Sequence, residues 1–155
     1  MGLESSGEPS LARPFRMTRM HRWGNRLIAP LIRAGLIPHT YLLTTRGRRT
    51  GRPHTTPVVL VEGGGRRWLV APYGAVAWVR NARAAGEVVL RRRGTTVRCA
   101  IREVTGAEEA APVLKQYLSL TGPPRRYFFA TKDDPPERFR AEAAAHPVFE
   151  LTIAD

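Results

Sequence analysis

The sequence predicts an α+β protein, mainly β, built as a small barrel with an N-terminal helix and further helices at its edges. Three observations carry that prediction. Runs rich in β-branched and apolar residues fill the middle of the 155-residue chain, glycine turns join neighbouring runs, and no repeating strand–helix–strand unit occurs. The length suits one domain with a real core. Residues 1–12, rich in Ser, Gly, Glu and Pro, read as a flexible N-terminus. Residues 13–155 form the single domain, with a basic amphipathic helix over 13–36 and the barrel over 41–155.

Met20, Trp23, Leu27 and Leu31 recur at helical spacing, with Arg19, Arg22, Arg26 and Arg33 on the other side. Pro30, which lacks an N–H, kinks this helix or starts a second one. Strands are expected over 41–45, 55–62 and 68–71, with Gly63–Gly64–Gly65 turning the chain between the second and third. Pro57 sits near the start of its strand, where a missing donor is tolerated. After a loop at Pro72–Tyr73–Gly74, residues 77–85 read as a short helix ended by Gly86. Residues 87–92 and 95–104 form a hairpin about Arg93–Gly94. Residues 107–120 and 135–145 are helical, and 148–153 closes the chain with a strand.

Charge is unevenly spread. Of 25 basic and 13 acidic residues, giving +12, thirteen basic and two acidic residues lie in 41–102, for a local net of +11. Such a field attracts an anion: nucleic acid, lipid headgroups, or a phosphorylated or carboxylated small molecule. The single cysteine, Cys99, rules out an internal disulfide framework and reads as a small buried hydrophobe on one face with Val97 and Ile101. No apolar run approaches the ~18 residues needed to span a bilayer, and the N-terminus lacks an apolar signal core. The expected location is cytoplasmic, with peripheral contact to the inner face of the plasma membrane through the basic helix as an open option.

Self-sufficient catalytic apparatus is missing. The four histidines are scattered away from metal-ligand spacing, and there is no Gly-x-Ser-x-Gly elbow, dinucleotide fingerprint or Walker loop. Glu108, Glu109, Asp133 and Asp134 read as solvated charges rather than a catalytic pair. An enzyme built on this chain needs a cofactor to carry its chemistry.

The densest feature is TTRGRRTGRPHTTPV, residues 44–58. It gathers Arg46, Arg48, Arg49, Arg52 and His54 around Gly47 and Gly51 without a carboxylate. Glycine permits a tight turn with exposed backbone N–H groups, and two guanidinium forks with the Thr50 hydroxyl make a cradle for a phosphate. A solvated basic hairpin tip is the competing reading. Arg91–Arg92–Arg93 is a second basic tip, read as solvated.

The segment matches the pattern T-T-x-G-R-[KR]-[ST]-G-x-x-x-x-x-P, and Trp78 with Asn81 follows as W-x-x-N on the short helix. In these residues the chain resembles the deazaflavin-dependent nitroreductase and quinone reductase family, which uses coenzyme F420. The likeness is good over residues 41–104. It implies a split β-barrel of the FMN-binding kind and a hydride passed from reduced F420 to an electron-poor acceptor such as a quinone, nitroaromatic or enone. By resemblance, Arg48, Arg49 and Thr50 hold the cofactor's phosphate and acidic tail. The strand His54, Thr55, Thr56, Pro57, Val58 and Val59 runs beside its ring. Val70, Ala71, Pro72 and Tyr73, with Ala77, Trp78, Val79, Arg80 and Asn81, wall the ring in. Tyr127 is the candidate for the family's C-terminal tyrosine over the substrate space, orienting the substrate or relaying a proton. The chain departs from the family at His54, where Arg is frequent, in the short loop after Ala71, and at Val79, where an aromatic is frequent.

F420 carries a phosphate and a chain of glutamates, so a strongly cationic centre suits it, and hydride transfer demands positioning rather than an acid–base pair. The implied partners are a small-molecule hydride acceptor, a second copy in a homodimer, and a membrane surface. Nucleic acid is not expected, because the basic cluster lacks interleaved stacking aromatics and no helix-turn-helix or zinc motif occurs. The alternatives are an FMN-binding split-barrel reductase and a non-catalytic membrane-surface or nucleic-acid binder.

Overall fold

The computed structural model describes residues 29–32 and 34–154. Residues 1–12, expected to be flexible, and most of the helix expected over 13–36 lie outside the described residues. Residues 29–32, which include Pro30, are helical.

Six strands follow: β1 (Thr40–Arg46), β2 (Pro53–Gly63), β3 (Arg66–Val70), β4 (Glu87–Arg92), β5 (Thr95–Val104) and β6 (Val148–Ile153). They close into an antiparallel barrel in the order β1-β2-β3-β6-β5-β4, the last pairing back onto the first. Turn chemistry sets the hairpins. Gly64 and Gly65 (φ +58° and +75°) join β2 to β3, and Arg93 and Gly94 (φ +50° and +73°) join β4 to β5. Successive left-handed residues match the twist of the strands they connect.

Alternation then sorts side chains to two faces. Leu43, Val58, Leu60, Leu69, Val88, Leu90, Cys99, Phe149 and Leu151 fill the barrel. Cys99 is buried there, as its sequence neighbours suggest. The helix α1 (Ala77–Ala85) crosses from β3 to β4 and contributes Trp78, Val79 and Ala82 to the same core. Gly86 ends it in the left-handed conformation, its N–H bonded to Ala82 O at 2.8 Å.

A second core lies outside the barrel wall. Val61, Trp68, Val70, Val104 and Val148 meet the helix α2 (Ala107–Leu120) through Ala110, Ala111, Val113, Leu114, Tyr117 and Leu118. Two 3₁₀ turns, Pro123–Tyr127 and Pro136–Glu142, lay Phe128 and Phe139 against this layer. The helix expected over 135–145 is thus a 3₁₀ segment, and the turn at 123–127 has no counterpart in the sequence reading.

Two charge readings change. Arg92 is half-buried: its Nη2 donates to Gly35 O and Ile37 O, each at 3.2 Å, so the second basic tip braces the segment entering β1. Glu109 is not a lone solvated charge. It accepts from Arg66 at 3.1 Å and Arg102 at 2.5 Å, and both arginines also bond Glu150, linking α2 to the barrel wall.

Candidate functional site

The turn between β1 and β2 begins where pairing stops, at Arg46 opposite Pro53. Gly47 N–H donates to Arg52 O and Gly51 N–H to Gly47 O, both at 2.8 Å. Gly51 takes φ +71°, open to glycine at little cost. Space is tight at Gly47: a Cβ there would lie 3.0 Å from Arg52 O, 3.0 Å from Thr50 Oγ1 and 3.1 Å from His54 Nε2, so these neighbours would have to give way. The Thr50 hydroxyl accepts from Arg52 N–H at 3.3 Å.

A helix fixes this loop from the side. Asn81, only 2% exposed, sits on the turn-facing side of α1. Its Oδ1 accepts from Arg48 N–H at 3.2 Å and from Arg48 Nη1 at 3.0 Å. Its Nδ2 donates to Thr45 Oγ1 at 3.4 Å. One amide therefore spans strand, turn and helix. Between them opens a cleft of about 750 Å³, bounded by the turn, by Ala84 and Ala85 at the end of α1, and by Glu87, Val88 and Val89 of β4. Arg46, Arg49 and Arg52 have no carboxylate partner among the described residues. Exposed guanidinium groups, a hydroxyl and turn amides form a donor set suited to a phosphate or carboxylate.

The other predicted residues divide by strand face. Val58 points into the barrel core, whereas Val59 packs against the outer layer. Thr55 and Pro57 share the parity of Val59, and His54 and Thr56 that of Val58. Thr55 is exposed and its hydroxyl lies 2.9 Å from that of Thr44 on β1. Val70 belongs to the outer layer, while Ala71, Trp78 and Val79 belong to the barrel core. Trp78 packs 5.8 Å from the Phe149 ring. Ala77 and Arg80 are exposed on α1.

Beyond Val70 the chain reaches Pro72 and Tyr73, both half-buried. Here the structure joins two distant segments. The rings of Tyr73 and Tyr127 meet edge to face, centroids 4.9 Å apart. Burial pushes the Tyr73 phenol up from its ordinary value; Tyr127 adds to this and Arg126 opposes it. Arg126 also lies over the Tyr127 ring at 5.3 Å.

Beneath this pair is a polar unit that the sequence reading missed. His146 is fully buried and Glu142 2% exposed. His146 Nε2 lies 3.0 Å from Glu142 Oε2, and Nδ1 lies 2.8 Å from Pro72 O. Glu142 Oε1 accepts from the backbone N–H groups of Phe129 (2.6 Å) and Ala130 (2.9 Å). The spacing of Glu142 and His146, one helical turn apart, was the available signal.

Among the described residues no cluster of three His, Cys, Asp or Glu could hold a metal, and no helix is long and apolar enough to cross a membrane. No curated protein matches the chain. Among solved structures, an F420-H2 dependent reductase is 21% identical, with a TM-score of 0.50 over 74% of this chain and 95% of that one. A conserved hypothetical protein from Mycobacterium tuberculosis is 15% identical, with a TM-score of 0.56 over 94% of this chain and 86% of that one. A protein from Listeria innocua, described as a putative pyridoxamine 5'-phosphate oxidase, is 9% identical, with a TM-score of 0.52 over 83% and 94%. At these identities the likeness is one of fold, the split β-barrel. The sequence signature of the F420H(2)-dependent quinone reductases matches residues 19–144, which span both the arginine turn and the tyrosine pair. The chain therefore belongs to the F420H(2)-dependent quinone reductase family, as an oxidoreductase whose cofactor is coenzyme F420.

Proposed function

We propose that the chain reduces a quinone, and by the same chemistry a nitroaromatic or an enone, at a site running from the arginine turn to the Tyr73–Tyr127 pair. When bound, reduced F420 supplies the hydride. Arg48, Arg49 and Thr50 hold its phosphate and acidic tail. The donor chemistry of the turn and the tight space about Gly47 fit such a group. Thr55, Pro57 and Val59 on the outer face of β2 offer a mainly apolar floor for a flat ring, with Pro72 at its acceptor edge and Val70, buried in the layer under α2, backing it. Val58, Ala71, Trp78 and Val79 support that wall from inside the barrel. Asn81 fixes Arg48, and Ala77 and Arg80 border the helix above it. His54, where the family often carries Arg, adds a weaker donor near the turn.

Tyr73 and Tyr127 border the acceptor. The Tyr73 phenol is protonated across the neutral range, as an ordinary tyrosine is and burial reinforces, so it can donate a hydrogen bond to an acceptor oxygen as negative charge develops there. Tyr127 orients the acceptor or passes it a proton. The basic, acid-free sequence over 13–36 suits contact with an anionic bilayer, where a membrane-held quinone would be met.

The observation that carries this reading is the bond from Arg48 to Asn81, which fixes the turn whose Arg48, Arg49 and Thr50 line the 750 Å³ cleft. Titrating wild type and Arg48→Ala/Arg49→Ala with oxidised and reduced F420 tests it. The double variant should bind on the order of 10²-fold more weakly, two charge-assisted contacts being lost. Equal affinities would remove the turn from the site. Turnover by Tyr127→Phe of a quinone, a nitroaromatic and an enone tests the acceptor end, with a fall in kcat expected.

A further inference from the structure

We propose that the buried Glu142–His146 pair positions the acceptor end of the site, holding the Tyr73 and Tyr127 segments in register; this rests on the reading that those tyrosines border the acceptor. The bonds of the pair are distributed in a telling way. His146 binds the carbonyl of Pro72, the residue before Tyr73. Glu142 binds the amides of Phe129 and Ala130, two and three residues after Tyr127. Phe128, adjacent to Tyr127, stacks on the His146 ring at 3.8 Å with a 13° tilt. The pair thus clamps both tyrosine-bearing segments and touches nothing at the arginine turn.

Stability alone does not call for such a unit. An apolar pair of similar volume avoids the desolvation of two polar side chains and is often neutral or stabilising. What an apolar pair cannot do is fix one carbonyl and two amides at once. A proton count defines the unit further. Both ring nitrogens of His146 face acceptors, Pro72 O and Glu142 Oε2. Nδ1 therefore carries a hydrogen, and a second one lies between Nε2 and Oε2. The imidazole and carboxyl together hold two protons and are neutral as a pair. Glutamine at 142 can reproduce every bond: its oxygen accepts from Phe129 and Ala130, and its amide nitrogen donates to His146 Nε2. Phenylalanine at 146 keeps the stack on Phe128 but leaves Pro72 O and Glu142 Oε2 without a partner.

Those two variants separate positioning from packing. The full chain is purified as wild type, His146→Phe, Glu142→Gln and, as a control on the underlying reading, Tyr127→Ala. Each is measured for F420 affinity, for quinone kinetics with F420H2, and for amide exchange at Phe129 and Ala130. His146→Phe should lose on the order of 10²-fold in kcat/KM for the quinone, the scale set by misplacing a reacting geometry by about 1 Å. Its F420 dissociation constant should stay within about twofold. Glu142→Gln should keep kcat/KM within about threefold of wild type. Exchange at Phe129 and Ala130 should quicken in His146→Phe alone. If His146→Phe does not fold, Glu142→Asp, one methylene too short to reach both partners, should show the same split. Wild-type quinone kinetics in His146→Phe, or in Glu142→Asp, alongside an impaired Tyr127→Ala would overturn the positioning role. Loss of F420 affinity in step with kcat/KM would overturn it too, in favour of general destabilisation. Unaltered kinetics in Tyr127→Ala would instead sink the placement of the acceptor.

Discussion

Asn81 Oδ1 takes both hydrogen bonds that Arg48 directs toward α1, one from its backbone at 3.2 Å and one from its guanidinium at 3.0 Å. A neutral acceptor fixes the cation without cancelling its charge. That choice distinguishes two substitutions. Asn81→Ala leaves the Arg48 amide and guanidinium without this acceptor and should destabilise the fold by about 1–3 kcal/mol, read as a lower Tm, with weaker F420 binding. Asn81→Asp should hold Arg48 firmly yet weaken F420 binding by about tenfold, because the new carboxylate competes with the ligand for the guanidinium. Calorimetry and cofactor titration on both variants check the pair.

Gly47 should be the least replaceable position of the turn for binding. An alanine methyl would press on Arg52 O, Thr50 Oγ1 and His54 Nε2 at once. Gly47→Ala should cost about 1–3 kcal/mol of stability and lower F420 affinity. Gly51→Ala, strained by φ +71° but meeting only the Arg46 guanidinium at an ordinary 3.8 Å, should cost about 1–2 kcal/mol and disturb affinity less. Comparing the two dissociation constants at equal folded fraction decides it.

Acid should loosen the docking of α2 on the barrel. Hydrogen bonds from Arg102 and Arg66 hold the Glu109 and Glu150 carboxyls below their ordinary value of 4.5. Carboxylates lowered by folding contribute stability above the unfolded value, and that contribution is lost as pH falls through the folded values. Tm should therefore hold steady down to about pH 4.5 and fall below it. Glu150→Gln should flatten the fall, since the group no longer titrates; an identical acid limb would contradict this.

Cys99 should be inert. It lies inside the barrel, and burial pushes its thiol up from the ordinary value, against a smaller opposing effect of Arg67. A thiol-specific chromogenic reagent should react with folded protein only at the rate of global opening, and promptly in denaturant. Fast reaction under native conditions would argue against the described packing.

Most strands were legible because each is a local message. Alternation in Val58–Leu60, paired glycines at 64–65, Arg93–Gly94 and the helix-ending Gly86 act within a few residues of where they stand. The arginine turn was legible as a dense cationic loop for the same reason. Its brace was not: Asn81 lies 33 residues from Arg48, and nothing local joins them. Trp78 was expected beside the ring, and its place in the barrel core depends on how α1 crosses the barrel. Glu142 and His146 stayed hidden because their partners, Pro72, Phe129 and Ala130, come from two loops brought together by packing. The 3₁₀ turn at 123–127 escaped, and the one at 136–142 was read as an ordinary helix, because short helices leave little periodicity to read.

Of the four arginines crowded into residues 46–52, Arg48 leans on an uncharged amide, and the described residues offer none of them a carboxylate. Like charges so close repel, and the fold itself carries that tension. An acidic ligand relieves it, so occupancy and heat resistance rise together. Ionic strength acts in the opposite sense, screening that repulsion while weakening the loop's pull on any anion, so that brine used in purification would loosen an acidic ligand held there.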